Sequence, residues 1–386
     1  MTIVNCEIDK NLFVLDFVVS RDVVYFCGYD TLTQTKGVWG KFNTNDLIQG
    51  NLSYETYSDF VCGKAYADTL NSLVAYGNNG ITTIVTVGTA NSGTSKSRGC
   101  TIEITPSGTN SWNYTMGVTP DTNMENTKHV CLTDNYIITS GFTDISSGFE
   151  VYRRHNRSNI FATTGPQDFM LYFPTSTNPI YTHQFHTYAI THINSDTISV
   201  ALSYKNLTFP GYGVIVKTYD MSNPVIGLTN SSYVYDQSTQ NDLLTIRDLK
   251  YDRINNRIVL LLYGNTILIP NLSSIVAEIP MTPLPTTYQI HHSDEFELTS
   301  LDLYNGNHSF LCQGFNQSSP VIANYFTQPL ATTATCATTT PLIASPEVYI
   351  IKGNTHPYTI CKDSFKCTNH IQLSVLTIQN NIICKD

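Results

Sequence analysis

Four acids recur at similar places along this chain: Asp16 in Phe13-Val-Leu-Asp-Phe-Val-Val19, Asp134 in His129-Val-Cys-Leu-Thr-Asp134, Asp248 in Leu244-Thr-Ile-Arg-Asp-Leu-Lys-Tyr251, and Asp302 in Phe296-Glu-Leu-Thr-Ser-Leu-Asp-Leu303. If the segments repeat around one axis, these carboxylates take equivalent positions, where they would bind a cation or a sugar. A facing pair would hydrolyse a glycoside, one acid protonating and the other attacking or activating water. The plainer role is that each caps a turn or orders the neighbouring strand. Asp16, Asp134, Asp248 and Asp302 are therefore the candidate ligand-binding set. No two of them can be paired from sequence, so catalytic residues stay unassigned.

Other chemistry is thinner. His183, His186 and His192 form the densest histidine group, and His291-His292 precede Asp294. Strand ligands belong at i and i+2, so His183 and His186 would face opposite sides. These read as surface or loop histidines, and no metal site is expected. The turns at Asn43–Asp46, Asn78–Gly80 and Asp121–Asn123 lack the alternating acids of a dedicated calcium loop. Asn and Asp suit left-handed turn positions in any case, so no cofactor is expected beyond a structural calcium that such turns would admit. The sequence has no Gly-x-Ser-x-Gly elbow, no phosphate loop and no sialidase-type Asp box. With 24 Tyr and 17 Phe but 2 Trp, its aromatic surface suits recognition of sugars or proteins.

The segments that carry the acids repeat in order: an apolar strand with a central acid, a polar turn, a second apolar strand, then Gly. Phe13–Val19 leads through Ser20–Asp22 to Val23–Gly28 and Gly37–Phe42, and Leu244–Tyr251 leads to Arg257–Gly264. Further copies begin near Ser72, His129, Tyr188 and Phe296. Starts about every 50 to 60 residues are the spacing of a four-stranded propeller blade. The spacing predicts an all-β, single β-propeller over 1–386 of about seven blades, with six or eight allowed, its ring closed by the N-terminal strand Thr2–Ile8. Tandem β-sandwiches are the alternative. The Thr/Pro-rich stretch 327–346 reads as a loop or linker before the last blade.

Composition narrows the setting. A formal charge of −9, with 21 Lys and Arg spread along the chain, argues against nucleic acid as a partner. No run approaches the roughly 18 apolar residues of a membrane-spanning helix. The charged fraction of 13% and abundant Ser, Thr, Asn and Tyr fit an extracellular or cell-surface protein. The N-terminus, Met1-Thr-Ile-Val-Asn-Cys6, shows no basic leader or apolar run. Ten cysteines suggest an oxidising compartment. Cys361, Cys367 and Cys384, with Cys6 if the ends meet, are the disulfide candidates, whereas Cys27 and Cys312 sit in apolar strands as small hydrophobes.

Val24-Tyr-Phe-Cys-Gly28 followed by Gly37-Val-Trp-Gly-Lys-Phe-Asn43 resembles the opening blade of uncharacterised propeller-like surface proteins of gut bacteria. The resemblance covers the first blade and the rest only as rhythm, and the cysteine content departs from it. It implies an exported, non-enzymatic repeat protein and carries no site residues across. The expected function is a non-enzymatic binding module that recognises a glycan or protein through its loop face. A polysaccharide hydrolase or lyase with an axial carboxylate site, and a structural repeat of a surface or virion assembly, are the alternatives.

Overall fold

The computed structural model describes residues 6–7, 12–30, 36–43, 54–57, 61–62, 65–78, 81–91, 97–104, 110–115, 125–143, 148–156, 169–175, 183–207, 212–222, 227–235, 243–264, 273–281, 287–293, 297–304, 307–313, 321–325, 337–338 and 358–361. The regular elements are all strands, β1 (Cys6–Glu7) onward. The first sheet holds β2 (Leu12–Ser20), β3 (Val23–Asp30), β4 (Lys36–Asn43) and β5 (Tyr54–Tyr57), in that order. The next orders β6 (Val61–Cys62), β7 (Ala65–Asn78), β8 (Ile81–Asn91), β9 (Ser97–Ile104) and β10 (Asn110–Thr115). Two four-stranded sheets follow, β11 (Glu125–Leu132) to β14 (Phe169–Pro174) through β12 (Tyr136–Thr143) and β13 (Gly148–Asn156), then β15 (His183–Asn194) to β18 (Gly227–Tyr235) through β16 (Thr197–Asn206) and β17 (Tyr212–Asp220). The fifth orders β19 (Thr245–Asp252), β20 (Arg257–Gly264), β21 (Ser273–Pro280) and β22 (Thr287–Ser293). The sixth orders β23 (Glu297–Tyr304), β24 (Asn307–Gln313) and β25 (Val321–Tyr325).

Every pairing is antiparallel between chain neighbours, with three exceptions that come from the ends. β1 adds to β25, with Cys6 opposite Ile322; β26 (Ala337–Thr338) adds to β22; β27 (Tyr358–Cys361) adds to β10. Of the N-terminal strand expected over Thr2–Ile8, the described Cys6–Glu7 pairs with 321–325 rather than with the C-terminal segment. The described residues form six sheets where the spacing predicts about seven. The stretch 327–346 lies outside the described residues apart from Ala337–Thr338. Of the disulfide candidates, Cys6 and Cys361 fall on different sheets, and Cys367 and Cys384 lie outside the described residues. Cys27, Cys100 and Cys131 are buried.

The first long strand of each sheet packs against its counterpart in the next: β2 on β7, β7 on β11, then β15, β19 and β23, and β23 returns to β2. Side-chain alternation explains how one sheet serves two neighbours. In β20, Ile258, Leu260 and Leu262 join Ala189, Ala201, Val214 and Val216 of the preceding sheet, whereas Val259 and Leu261 join Leu298 and Leu301 of the following one. A strand covered on both faces must be apolar at successive positions, hence the run Ile258-Val-Leu-Leu-Leu262. Each such side chain contributes roughly 1.5–3 kcal/mol on burial.

Candidate functional site

Every one of these first strands carries one extra residue at the same place. The register skips Leu15 in β2, Asn71 in β7, Lys128 in β11, His186 in β15, Arg247 in β19 and Thr299 in β23. A β-bulge leaves its extra residue outside the ladder and re-aims the side chain. All six unpaired residues line a single cavity of about 550 Å³, together with Phe13, His129 and Tyr188. That volume falls within the ~300–1,000 Å³ of small-molecule sites. Because the six strands follow one another around the molecule, the cavity is central to all of them.

Its lining is electrostatically divided. Three consecutive sheets supply Lys128, His186 and Arg247; the other three supply Thr299, Leu15 and Asn71. No described lining residue is a carboxylate, a local exception in a chain of net charge −9. The Arg247 guanidinium lies 5.3 Å over the Tyr263 ring, which orients its planar fork. Nε2 of His186 is buried and meets no hydrogen-bond partner. Burial lowers the pKa of His186 and the Lys205 charge adds to this. His129, edge-on to Tyr188 at 5.1 Å, is pulled down to about 4 chiefly by burial, so it is neutral at pH 7.

The residue after each bulge does structural work instead. These residues are Asp16, Ser72, His129, Thr187, Asp248 and Ser300, and most bond across to an adjacent sheet. Asp16 accepts from the Ser72 hydroxyl at 2.8 Å, the Leu73 amide at 3.2 Å and the Ser300 hydroxyl at 2.6 Å. Asp248 accepts from the Leu301 amide at 2.9 Å, with Ser300 Oγ 3.0 Å away. Thr187 Oγ1 accepts from the Ile246 amide, and His129 bonds to the Tyr188 main chain. Between the second and third sheets the side chain of Asn71 itself bridges, donating to Asn126 Oδ1 and the Thr127 carbonyl. A belt of hydrogen bonds thus encircles the cavity, in part through its own lining residues Asn71, His129, Thr187 and Tyr188.

The belt concentrates charge. Burial pushes the Asp248 carboxyl above its usual range, Lys250 at 3.5 Å opposing and Asp16 reinforcing. Burial alone would lower the Lys250 ammonium, but Asp248, Asp16 and Asp302 together hold it above its ordinary value. Asp302 is pushed up to about 6, mainly by burial, while its Oδ2 accepts from the Val19 amide at 2.6 Å.

The four candidate acids are therefore not equivalent, which corrects the sequence expectation. Asp16 and Asp248 share the position after the bulge. In the sixth sheet that position is Ser300, and Asp302 lies two residues beyond it. Asp134 is exposed in the β11–β12 turn, where its amide donates to the Ser195 carbonyl at 2.9 Å. The acid at work there is Asp196, which accepts from Thr133 and Asn135. None of the four lines the cavity; Asp16, Asp248 and Asp302 order neighbouring strands. The residues that do line it were missed because a bulge reverses the facing on which strand alternation relies. One signal was present. Gly28, Gly88 and Gly141 pair with the residue just before the bulge, and a Cβ on any of them would overlap the carbonyl oxygen of Phe13, Thr69 or Asn126.

No family model matches the chain, and no curated protein matches it. Among solved structures, a crystal structure of a puromycin hydrolase mutant complexed with PGG is similar over 80% of this chain and 51% of that one, at 7% identity and a TM-score of 0.40. The chain spans about half the length of that protein, and at such a score the likeness says nothing of activity.

Proposed function

We propose that this protein is a six-bladed β-propeller that works as a non-enzymatic recognition module, holding an anionic group of a glycan or protein in its axial cavity. The cyclic packing of six sheets of four to six strands, with β1 completing the last, supports six blades. The observation that carries the function is the run of Lys128, His186 and Arg247 on adjacent blades, facing a cavity whose described lining holds no acid. Arg presents a fork matched to carboxylate or phosphate, and in a recess such a pair is stronger than on open surface. Hydrolysis by paired carboxylates finds no support in that lining, because the nearest acids, Asp16 and Asp248, are tied into the belt. An extracellular or cell-surface setting suits the low charged fraction of the chain.

Affinity electrophoresis through gels cast with an acidic or a neutral polysaccharide tests this reading. Retardation by the acidic gel alone, lost in Arg247→Gln, is the expected result. Equal retardation by the neutral gel, or release of reducing or unsaturated ends, would overturn it.

A further inference from the structure

The order of the six bulge residues around the axis says more about the ligand than its charge. In a ring of six, Leu15 stands opposite His186, Asn71 opposite Arg247 and Thr299 opposite Lys128. One half of the wall is basic; the other presents an aliphatic side chain flanked by a hydroxyl and an amide. Behind Leu15, Phe13 also reaches the cavity, its ring stacked at 5.0 Å on Tyr29 and so held in place. A ligand with charge at both ends would leave one charge against Leu15, at a desolvation cost with no partner. A simple inorganic anion would leave the neutral half unfilled.

Resting on the proposed anion-binding function, we infer that the ligand is a free or terminal sugar acid: a pyranose with one carboxylate. Its carboxylate lies against Arg247, His186 and Lys128, and its ring lies across Leu15 and Phe13. A pyranose offers both surfaces that half of the wall complements, an apolar patch of C–H groups and a rim of hydroxyls. His186 stands between Lys128 and Arg247 as the middle basic side chain of the half of the wall that takes the carboxylate. The wall selects by position: each blade contributes its bulge residue to the lining, Asn71 doing so while its amide also bridges two sheets.

Isothermal titration of the full chain with glucuronate, acetate, glucose and glucose 6-phosphate tests the inference, with circular dichroism confirming that each variant folds. Glucuronate is expected to bind at least tenfold more tightly than the other three, to lose binding in Arg247→Gln, and to weaken about tenfold in Leu15→Asn, which alters only the neutral half. If acetate or glucose 6-phosphate binds as tightly as glucuronate, the sugar-acid assignment falls while anion binding stands. If Leu15→Asn leaves glucuronate affinity unchanged, the placement of the ring is wrong. If glucose binds as well as glucuronate, or none of the four binds, both readings fall.

Discussion

Ser300 and Asp16, 284 residues apart in sequence, meet at 2.6 Å where the last sheet packs on the first. The same hydroxyl lies 3.0 Å from Asp248 of the preceding sheet. One hydroxyl hydrogen cannot serve two ionised carboxylates, and Lys250, 3.5 Å from Asp248, opposes the rise that burial gives the Asp248 carboxyl. Ser300→Ala removes the bridge and leaves two buried acids facing each other. It is expected to cost about 1–3 kcal/mol in urea denaturation. A cost well below that range would show that the bridge does not hold the last sheet to the first.

The pH dependence of stability contains two opposed contributions. Asp302, raised to about 6, binds its proton more tightly folded than unfolded, so its contribution is complete below the ordinary carboxylate range and is lost as pH rises through about 6. His129, lowered to about 4, has the reverse sign: its contribution is complete above the ordinary imidazole value and is lost as pH falls through about 4. Asp302→Asn keeps an oxygen for the Val19 amide. Relative to wild type, the variant should gain stability near neutral pH, by an amount on the order of 1–2 kcal/mol, and the gain should vanish by about pH 4. Thermal melts of both proteins across that range provide the check.

Gly28 has no room for a side chain, because a Cβ there would overlap main-chain atoms of Phe13 and Val14. At Gly213 the obstacle is the far end of the Tyr204 side chain. Gly28→Ala should therefore destabilise by about 3 kcal/mol or more, whereas Gly213→Ala should cost less as Tyr204 shifts. A reversed order of the two midpoints in denaturant would mean that the bulge in β2 is not as tight as it stands.

Binding in the cavity should depend on pH through His186. Around it lie Lys128, Arg247 and His129 on the cavity wall, Lys205 on β16 and the Tyr212 ring 6.5 Å away on β17. All the charges among these are positive, so in the free protein they and burial keep the imidazole neutral at pH 7. A bound carboxylate favours protonation, so binding takes up a proton and affinity should rise roughly three- to tenfold from about pH 7.5 to about pH 5.5. His186→Gln should flatten that rise in titrations at the two pH values, while leaving affinity at the higher one within about twofold of wild type.

The sequence by itself determined that the fold is built from strands, that strand units recur along the chain, and that the N-terminal segment contributes a strand, as the described residues show. Period-two burial, Gly and Asn punctuation and apolar runs such as Ile258–Leu262 are local signals, and local physics suffices to read them. For all four recurring acids it offered ligand binding, with strand ordering as the plainer role, and Asp16, Asp248 and Asp302 take the plainer one. What only the tertiary structure decided is which side chains reach the axis. A bulge shifts facing by one residue without altering composition, so Leu15 and Arg247 line the cavity while the acids beside them turn into the belt. The division of that wall into a basic and a neutral half comes from six segments spread over about 285 residues, from Leu15 to Thr299. No window of sequence contains it, because it exists only once the last sheet has packed against the first.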